Sequence, residues 1–259
     1  MTDTALPADD AGPDPKSCQP WLFWSSTGFG LLAVAAWTFV QWLAAIGILL
    51  WLGIGKNAGD AEIELLSSHG LTISLVTIVS MPAAIVVIAL ACRLARCTVK
   101  DYLALYWPRR RDLLIGIACL AVLLPLGDLS SWLTGRDLVP VFVVDAYKSA
   151  RDSGYLLALG VALVIAAPLM EELLFRGFLF RGYAASRLGV VGAVLLTSAA
   201  WAAMHVQYEF FYIAQIFVLG CVFGWLRWRS GSTTLTLILH ALVNLAAILQ
   251  VAYLVERTA

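Results

Sequence analysis

The sequence predicts an all-α fold, a polytopic bundle of about seven transmembrane helices. Hydrophobic residues make up 61% of the chain, and its mean hydropathy is +0.86, whereas soluble domains use only about 45–50% apolar residues. The apolar residues form long continuous blocks between short charged loops, which is typical of helices that each cross a bilayer. They do not alternate with polar residues, as the strands of a transmembrane barrel require.

Charge and cysteine content limit the possible partners. Lysine plus arginine and aspartate plus glutamate each number 17, so the formal net charge is zero, and nothing indicates a nucleic-acid partner. The five cysteines are odd in number and scattered. We interpret them as free thiols that act as small apolar residues.

The chain divides into a tail and one membrane domain. Residues 1–20 are rich in Asp, Pro, Ala and Gly and predict a disordered tail, followed by a single transmembrane domain over residues 21–259. A split or interfacial helix in the first apolar block would add an eighth span. The stretch 133–153 mixes acidic and basic residues, and we interpret it as a loop. The predicted spans are approximately 21–52, 71–91, 113–132, 155–172, 188–204, 210–228 and 235–254.

The most basic segment, residues 93–112, contains six of the 17 lysines and arginines, interleaved with aromatic residues. This mixture predicts a short interfacial helix on the cytoplasmic surface. Basic residues also follow the fourth and sixth spans, so the positive-inside rule places these alternate loops and the N-terminus in the cytoplasm. We therefore expect an integral protein of a bacterial inner membrane.

Two adjacent carboxylates, Glu171 and Glu172, end an uncharged run that begins at Gly154. An ionisable side chain inside a membrane span is costly and indicates a functional site. Glu172 precedes Arg176 by four residues, which favours an ion pair along a helix. Glu171 points about 100° away, so it lacks this partner and is a candidate general base. Alternatively, both acids lie at the cytoplasmic interface and pair with Arg176 and Arg181.

Two later helices carry isolated histidines. His205 shares a helix face with Trp201, and Glu209 is a candidate for orienting its imidazole. His240 shares a face with Asn244 inside an apolar helix, where both can donate hydrogen bonds to one point, as an oxyanion requires. The alternatives are an interfacial histidine at His205 and a polar clamp between helices at His240 and Asn244.

Together these groups predict one hydrolytic site, because peptide hydrolysis needs both water activation and carbonyl polarisation. We expect Glu171, His205, His240 and Asn244 to converge within about 8 Å. The predicted depths conflict with this, since the fifth span would end with His205 near the outer face. We therefore expect residues 206–211 to turn within the bundle.

Three short motifs resemble those of the CAAX protease and bacteriocin-processing (CPBP, or Abi) family of intramembrane proteases. The residues from Glu171 to Arg176 resemble its EExxxR motif. Trp201 to His205 resembles FxxxH, and His240 to Asn244 resembles HxxxN, over a catalytic core of about residues 113–255. The family includes the type II CAAX prenyl endopeptidases, which remove the last three residues of prenylated proteins.

The resemblance implies a role for each residue. Glu171 matches the catalytic glutamate, and His205 matches the histidine that helps it activate water. His240 and Asn244 match the groups that stabilise the oxyanion.

The remaining motif positions are supporting ones. Glu172 and Arg176 complete the first motif, and Glu172 is included among the candidate catalytic residues. Trp201 stands where the family usually has Phe, which keeps an aromatic wall and narrows the pocket.

The function expected from these residues is a membrane-embedded endopeptidase. Its partners are then membrane lipid and a membrane-associated peptide or protein, including one with a lipidated C-terminus. We expect the last four spans to line the cavity, with water entering from the cytoplasm. The alternative is a catalytically silent immunity or scaffold protein of the same fold. A transporter is less favoured, because no repeated halves are visible.

The sequence leaves open whether the hydrolytic site uses a metal ion. Zinc, if present, would be bound by Glu171, His205 and His240. A metal-free glutamate mechanism is favoured, because Asn244 suits an oxyanion better than it suits zinc.

Overall fold

The computed structural model describes residues 18–51 and 69–258, and all regular structure in them is helical. The predicted all-α membrane fold is confirmed: six helices are long and apolar enough to cross a membrane, and a further apolar helix is shorter. Most of the predicted N-terminal tail and of the loop after the first span lie outside the described residues. The helices are α1 Phe23–Trp51, α2 Gly70–Leu94, α3 Val99–Tyr102, α4 Arg110–Leu133, α5 Val141–Asp152, α6 Leu156–Ala184, α7 Gly189–Ala203, α8 Phe210–Ser230 and α9 Thr233–Thr258.

Helix α6 continues past the glutamate pair, where the sequence predicted its end. The helix has 29 residues, so Glu171 and Glu172 lie near its middle. Two π-helical stretches, Ala162–Ala166 and Leu173–Leu179, flank the pair. Such stretches are frequent at functional sites. The predicted end was wrong because Arg176, which looks like an interfacial residue in the sequence, is fully buried.

Helix α7 is too short to cross a whole bilayer. Its 15 residues span about 22 Å at ~1.5 Å per residue, against the ~30 Å of a hydrocarbon core. This length supports a turn before the far surface, as expected for residues 206–211. The expected burial of that turn is wrong: none of residues 206–211 is buried, and Val206 and Phe210 are 81% and 83% exposed.

Residues 141–152 form helix α5 within the stretch expected to be a loop. Tyr147 and Ala150 are buried on one face, while charged residues occupy the other. Gly70 brings the start of α2 against this face, where its N–H donates to Ser149 Oγ at 2.6 Å. The prediction missed α5 because its buried face is narrow and its mean hydropathy low.

The basic segment after α2 contains the short helix α3 and packs against the bundle through a few residues, while its Lys and Arg side chains are exposed. Tyr102 and Leu103 are buried. Thr233 donates from Oγ1 to the Leu103 carbonyl at 2.5 Å and from its N–H to the Ala104 carbonyl at 3.0 Å. Arg181 donates to the Tyr102 carbonyl at 2.9 Å. The segment therefore closes the end of the bundle where α6 ends and α9 begins.

The structure contains a disulfide between Cys18 and Cys97, whose Cα atoms are 4.9 Å apart. The prediction of five free thiols is therefore wrong for this pair, which is separated by 79 residues and is brought together only by the fold. Arg181 donates to Cys18 Sγ at 3.4 Å, and the Trp21 N–H donates to the Tyr102 hydroxyl at 3.1 Å. The chain before α1 is thus fastened to the basic segment.

Two glycines let α8 approach α7 closely, as their small-xxx-small spacing predicts. A Cβ at Gly220 would lie 3.0 Å from Ser198 Cβ and 3.1 Å from Trp201 Cε3. A Cβ at Gly224 would lie 3.1 Å from Val194 Cγ1. This close packing holds the indole of Trp201 between α8 and the centre of the bundle.

Candidate functional site

The buried face of α6 carries the ion pair expected from the sequence. Glu172 Oε1 and Arg176 Nη1 are 3.0 Å apart, and both side chains are fully buried. Burying a lone charge is very costly, so further contacts are needed here. The Arg176 guanidinium lies 4.3 Å from the centre of the Trp201 ring, and its Nη2 donates to the Gly220 carbonyl at 3.4 Å. His240 Nδ1 contacts the same Glu172 oxygen at 3.0 Å.

The other face of α6 presents Glu171 to a cavity. Its side chain is 15% exposed, and its Oε2 lies 3.9 Å from His240 Nε2. The carboxylate also accepts a hydrogen bond from Trp201 Nε1 at 2.5 Å. Sequence reasoning treated Trp201 only as an aromatic wall. The available signal was the indole N–H, which the usual Phe of that motif lacks.

The hydrogen-bond partners of the two imidazoles show which ring nitrogen carries the proton. A carboxylate and a carbonyl only accept hydrogen bonds, so His240 Nδ1 donates to Glu172 at 3.0 Å. By the same reasoning His205 Nδ1 donates to the Trp201 carbonyl at 3.0 Å. The Nε2 atom of each ring is therefore left for chemistry.

His205 is held by stacking and not by Glu209. Its ring meets the Trp201 ring edge-on at 5.4 Å and stacks on Tyr208 at 5.9 Å, with 22° between the latter planes. Glu209 forms an exposed ion pair with Arg136 instead. The expected orienting role of Glu209 fails because α7 ends at Ala203, so the two residues no longer share a helix face.

Asn244 acts as a clamp between α9 and α6. Its Nδ2 donates to the Leu163 carbonyl at 2.7 Å. Leu163 lies in the first π-helical stretch, where the altered hydrogen-bond pattern makes a carbonyl available to a side chain. The alternative reading of Asn244 as a polar clamp thus describes one of its two N–H groups, and its side chain still borders the cavity.

A cavity of about 640 Å³ is lined by Glu171, His205, His240 and Asn244, together with Trp201. Glu172 and Arg176 are not among its lining residues, which separates them from the reacting groups. The volume falls within the ~300–1,000 Å³ of ligand pockets. The expectation that only the last four spans line the cavity is wrong, because α1 and α2 form another wall. Their lining residues are Trp37, Gln41, Ala45, Thr72, Ile73, Val76, Thr77 and Met81.

The cavity extends away from the basic segment. Thr72 and Ile73 line it from the first turn of α2, whereas Arg93 lies in the last turn of the same helix. Gln250, late in α9, lines it as well. The cavity therefore lies toward the end of the bundle that is opposite the basic segment.

The three proposed zinc ligands are not arranged as a metal site. In the part of the chain that the structure describes, no three His, Cys, Asp or Glu side chains lie close enough together to hold a metal ion. Catalytic zinc usually has three protein ligands. Moreover, Glu171 Oε2 is already engaged by Trp201. Glu171, His205 and His240 in this arrangement therefore do not fit a zinc ion.

The comparison with protein families gives one match. Residues 153–246 match the family model described as type II CAAX prenyl endopeptidase Rce1-like. The matched range covers α6, α7, α8 and the first part of α9, and it includes every candidate site residue. Comparisons with curated proteins and with solved structures gave no significant match.

Proposed function

Because residues 153–246 place this chain in the CAAX protease family, we propose that it is an intramembrane endopeptidase in which Glu171 activates water. The observation that carries the proposal is the contrast on α6: Glu171 faces a cavity beside His240, while the neighbouring Glu172 is sealed in an ion pair. A carboxylate at the wall of a cavity that can admit both water and a peptide is placed to accept a proton.

The attack step uses groups on the cavity wall. A water hydrogen-bonded to Glu171 gives its proton to that carboxylate while its oxygen adds to the carbonyl carbon of the scissile amide. The Nε2 atom of His205 accepts the second hydrogen bond of the water, since Nδ1 is held by the Trp201 carbonyl. This positions the water for attack.

The developing oxyanion needs hydrogen-bond donors. His240 in its protonated form donates from Nε2, and Asn244 offers the N–H that the Leu163 carbonyl does not use. The C–N bond then breaks, and Glu171 returns its proton to the leaving amine. Glu172 takes part only as a positioning residue, through its contact with His240 Nδ1.

The proposed substrate is a membrane-associated peptide or protein, because Glu171 lies near the middle of a helix that is long and apolar enough to cross a membrane. A lipidated C-terminus belongs to this class. Lipid surrounds the exposed apolar residues of α1, which include Phe39, Trp42 and Ile46.

The experiment compares membranes from cells that produce the wild-type protein or Glu171→Gln. Mass spectrometry of new chain ends should find ends that appear only with the wild type. A synthetic peptide spanning such a cut should then be hydrolysed by purified wild-type protein and by Glu209→Gln, whose carboxylate lies in the exposed pair with Arg136. Identical chain ends with wild type and Glu171→Gln, at equal protein levels, would show a catalytically silent protein instead.

We further propose that the basic segment faces the cytoplasm of a bacterial inner membrane, with the N-terminus on the same side. The support is the concentration of Lys and Arg in residues 93–112 and in the last turns of α6 and α8, as the positive-inside rule requires. Cys18 and Cys97 lie at the same end and would be thiols in a reducing cytoplasm. In that orientation the cavity extends toward the non-cytoplasmic face. A membrane-impermeant maleimide applied to intact cells should label Lys148→Cys in α5 and leave Arg110→Cys in α4 unlabelled. The reverse labelling pattern would invert the proposed orientation.

A further inference from the structure

We infer that α1 and α2 carry a binding subsite for the main chain of an extended substrate peptide, formed by Gln41 and Thr77. The inference rests on the proposed function and deepens it. Both helices lie outside the family match at residues 153–246, so the subsite is a feature of the rest of this chain. It forms the cavity wall contributed by the first two helices.

Helix α1 turns one polar side chain toward the cavity. Trp37, Gln41 and Ala45 line the cavity at a spacing of four residues, so they share one helix face. Phe39 and Trp42, which flank Gln41, are 64% and 69% exposed and apolar. The amide therefore occupies the cavity face of a helix whose outer face is suited to lipid.

The Gln41 amide has no hydrogen-bond partner among the described residues, although other amides in the bundle have theirs. Gln215 donates to Ser130 Oγ at 2.9 Å, and Gln250 donates to Asp128 at 3.1 Å. Gln41 is half-buried and borders the cavity. Its amide is therefore available to a ligand in the cavity, which can supply both a donor and an acceptor.

Thr77 on α2 is likewise a polar residue that lines the cavity, and its hydroxyl has no hydrogen-bond partner among the described residues. Hydroxyls in a membrane helix commonly bond the carbonyl four residues earlier, as Thr27 does to Phe23 at 2.8 Å and Thr197 does to Ala193 at 2.7 Å. The Thr77 hydroxyl makes no such bond and lines the cavity. Like the Gln41 amide, it is a hydrogen-bonding group on this wall for which the described part of the protein provides no partner.

The chemistry of the two groups identifies the ligand as peptide main chain. A carboxamide offers both a donor and an acceptor, and a hydroxyl does the same, which matches the N–H and C=O of an extended strand. A lipid chain has neither, and packing it against Gln41 would leave the amide unsatisfied. Main-chain hydrogen bonds would hold the substrate opposite Glu171 without selecting its side chains.

The test measures kinetics of the full-length protein in lipid nanodiscs on the synthetic peptide that spans the identified cut. Gln41→Leu should raise KM about tenfold and leave kcat within about twofold, because a lost hydrogen bond to bound substrate weakens binding and does not alter the reacting groups. Thr77→Val should raise KM by about threefold to tenfold. The conservative changes Gln41→Asn and Thr77→Ser should recover part of the loss.

Trp42→Leu serves as the matched control, since it changes the lipid-facing neighbour of Gln41 and should leave KM unchanged. Peptides in which single backbone amides are replaced by esters identify the contact: one ester should raise KM for the wild type and have no further effect in Gln41→Leu. Thermal melting of each variant checks that it is folded.

The outcomes separate this inference from the proposed function. If KM stays at the wild-type value in both Gln41→Leu and Thr77→Val while Glu171→Gln is inactive, the subsite is refuted and the protease stands. A lower KM in Gln41→Leu would also refute it, by showing that an apolar chain occupies this wall. If Glu171→Gln retains full activity, the proposed function itself fails.

Discussion

Glu171 and Glu172 are adjacent in the chain and lie in opposite environments. Glu172 is fully buried between Arg176 and His240, whereas Glu171 is 15% exposed at a cavity wall. One carboxylate is therefore enclosed in the bundle, and the other faces the cavity. The comparison teaches that a rotation of about 100° around one helix can place two identical charges in opposite environments, and under the proposed function these environments divide structural and chemical roles.

The two faces are nevertheless coupled through Trp201. Its ring packs 4.3 Å from the Arg176 guanidinium, and its N–H donates to Glu171. His240 provides a second link, since its two nitrogens face different glutamates. Substitutions on the buried face of α6, which carries Glu172 and Arg176, should therefore also disturb the face that borders the cavity. Substitution of Glu171 alone should leave the bundle folded.

The largest expected effect is the difference between glutamine substitutions at Glu171 and at Glu172. Glu171→Gln should lower kcat on the peptide substrate by about a thousandfold and leave the melting temperature unchanged. Glu172→Gln should lower the melting temperature clearly, because Arg176 would lose its counter-charge in a fully buried position. Kinetics and thermal unfolding of both purified variants check this. Equal loss of stability in the two would contradict the division of roles.

The second prediction concerns Arg176, the cation on the buried face of α6. Arg176→Met should lower the free energy of unfolding by about 3–5 kcal/mol, the cost of leaving one buried partner unpaired. The control is Arg136→Met, which breaks an exposed ion pair with Glu209 and should cost at most about 1 kcal/mol. Denaturant titrations of both variants in detergent provide the comparison. A similar small change in each would show that the buried pair does not hold the bundle.

The smallest expected effect tests how closely α8 must approach α7 at Gly220. Gly220→Ala should destabilise the protein by about 1–3 kcal/mol, because its Cβ would crowd Ser198 and Trp201. Gly47→Ala is the matched control, since nothing lies within 4 Å of its added Cβ. That change should be neutral or stabilising by up to about 1 kcal/mol, as alanine favours a helix over glycine. Equal melting temperatures for the two variants would argue against tight packing at Gly220.

Local patterns determined the fold class and the motifs of this protein. Span-length apolar blocks predict membrane helices because each block must satisfy its backbone hydrogen bonds within itself. The contact of Glu172 with Arg176 follows from a four-residue spacing on one helix. The packing of Gly220 and Gly224 follows from a similar spacing. All of these relations involve residues within a turn or two, so composition and periodicity are enough to predict them.

Only the tertiary structure decided what each polar group touches. His240 meets Glu172 across 68 positions of the chain, and Trp201 meets Glu171 across 30. Other long-range contacts are the cavity wall from α1 and α2, the Cys18–Cys97 disulfide and the packing of Tyr102 and Leu103 into the bundle. Such contacts depend on how the helices pack and on the π-helical stretches that re-aim the residues of α6. Hydropathy and spacing describe one helix at a time, and for that reason they could not predict which helices face each other.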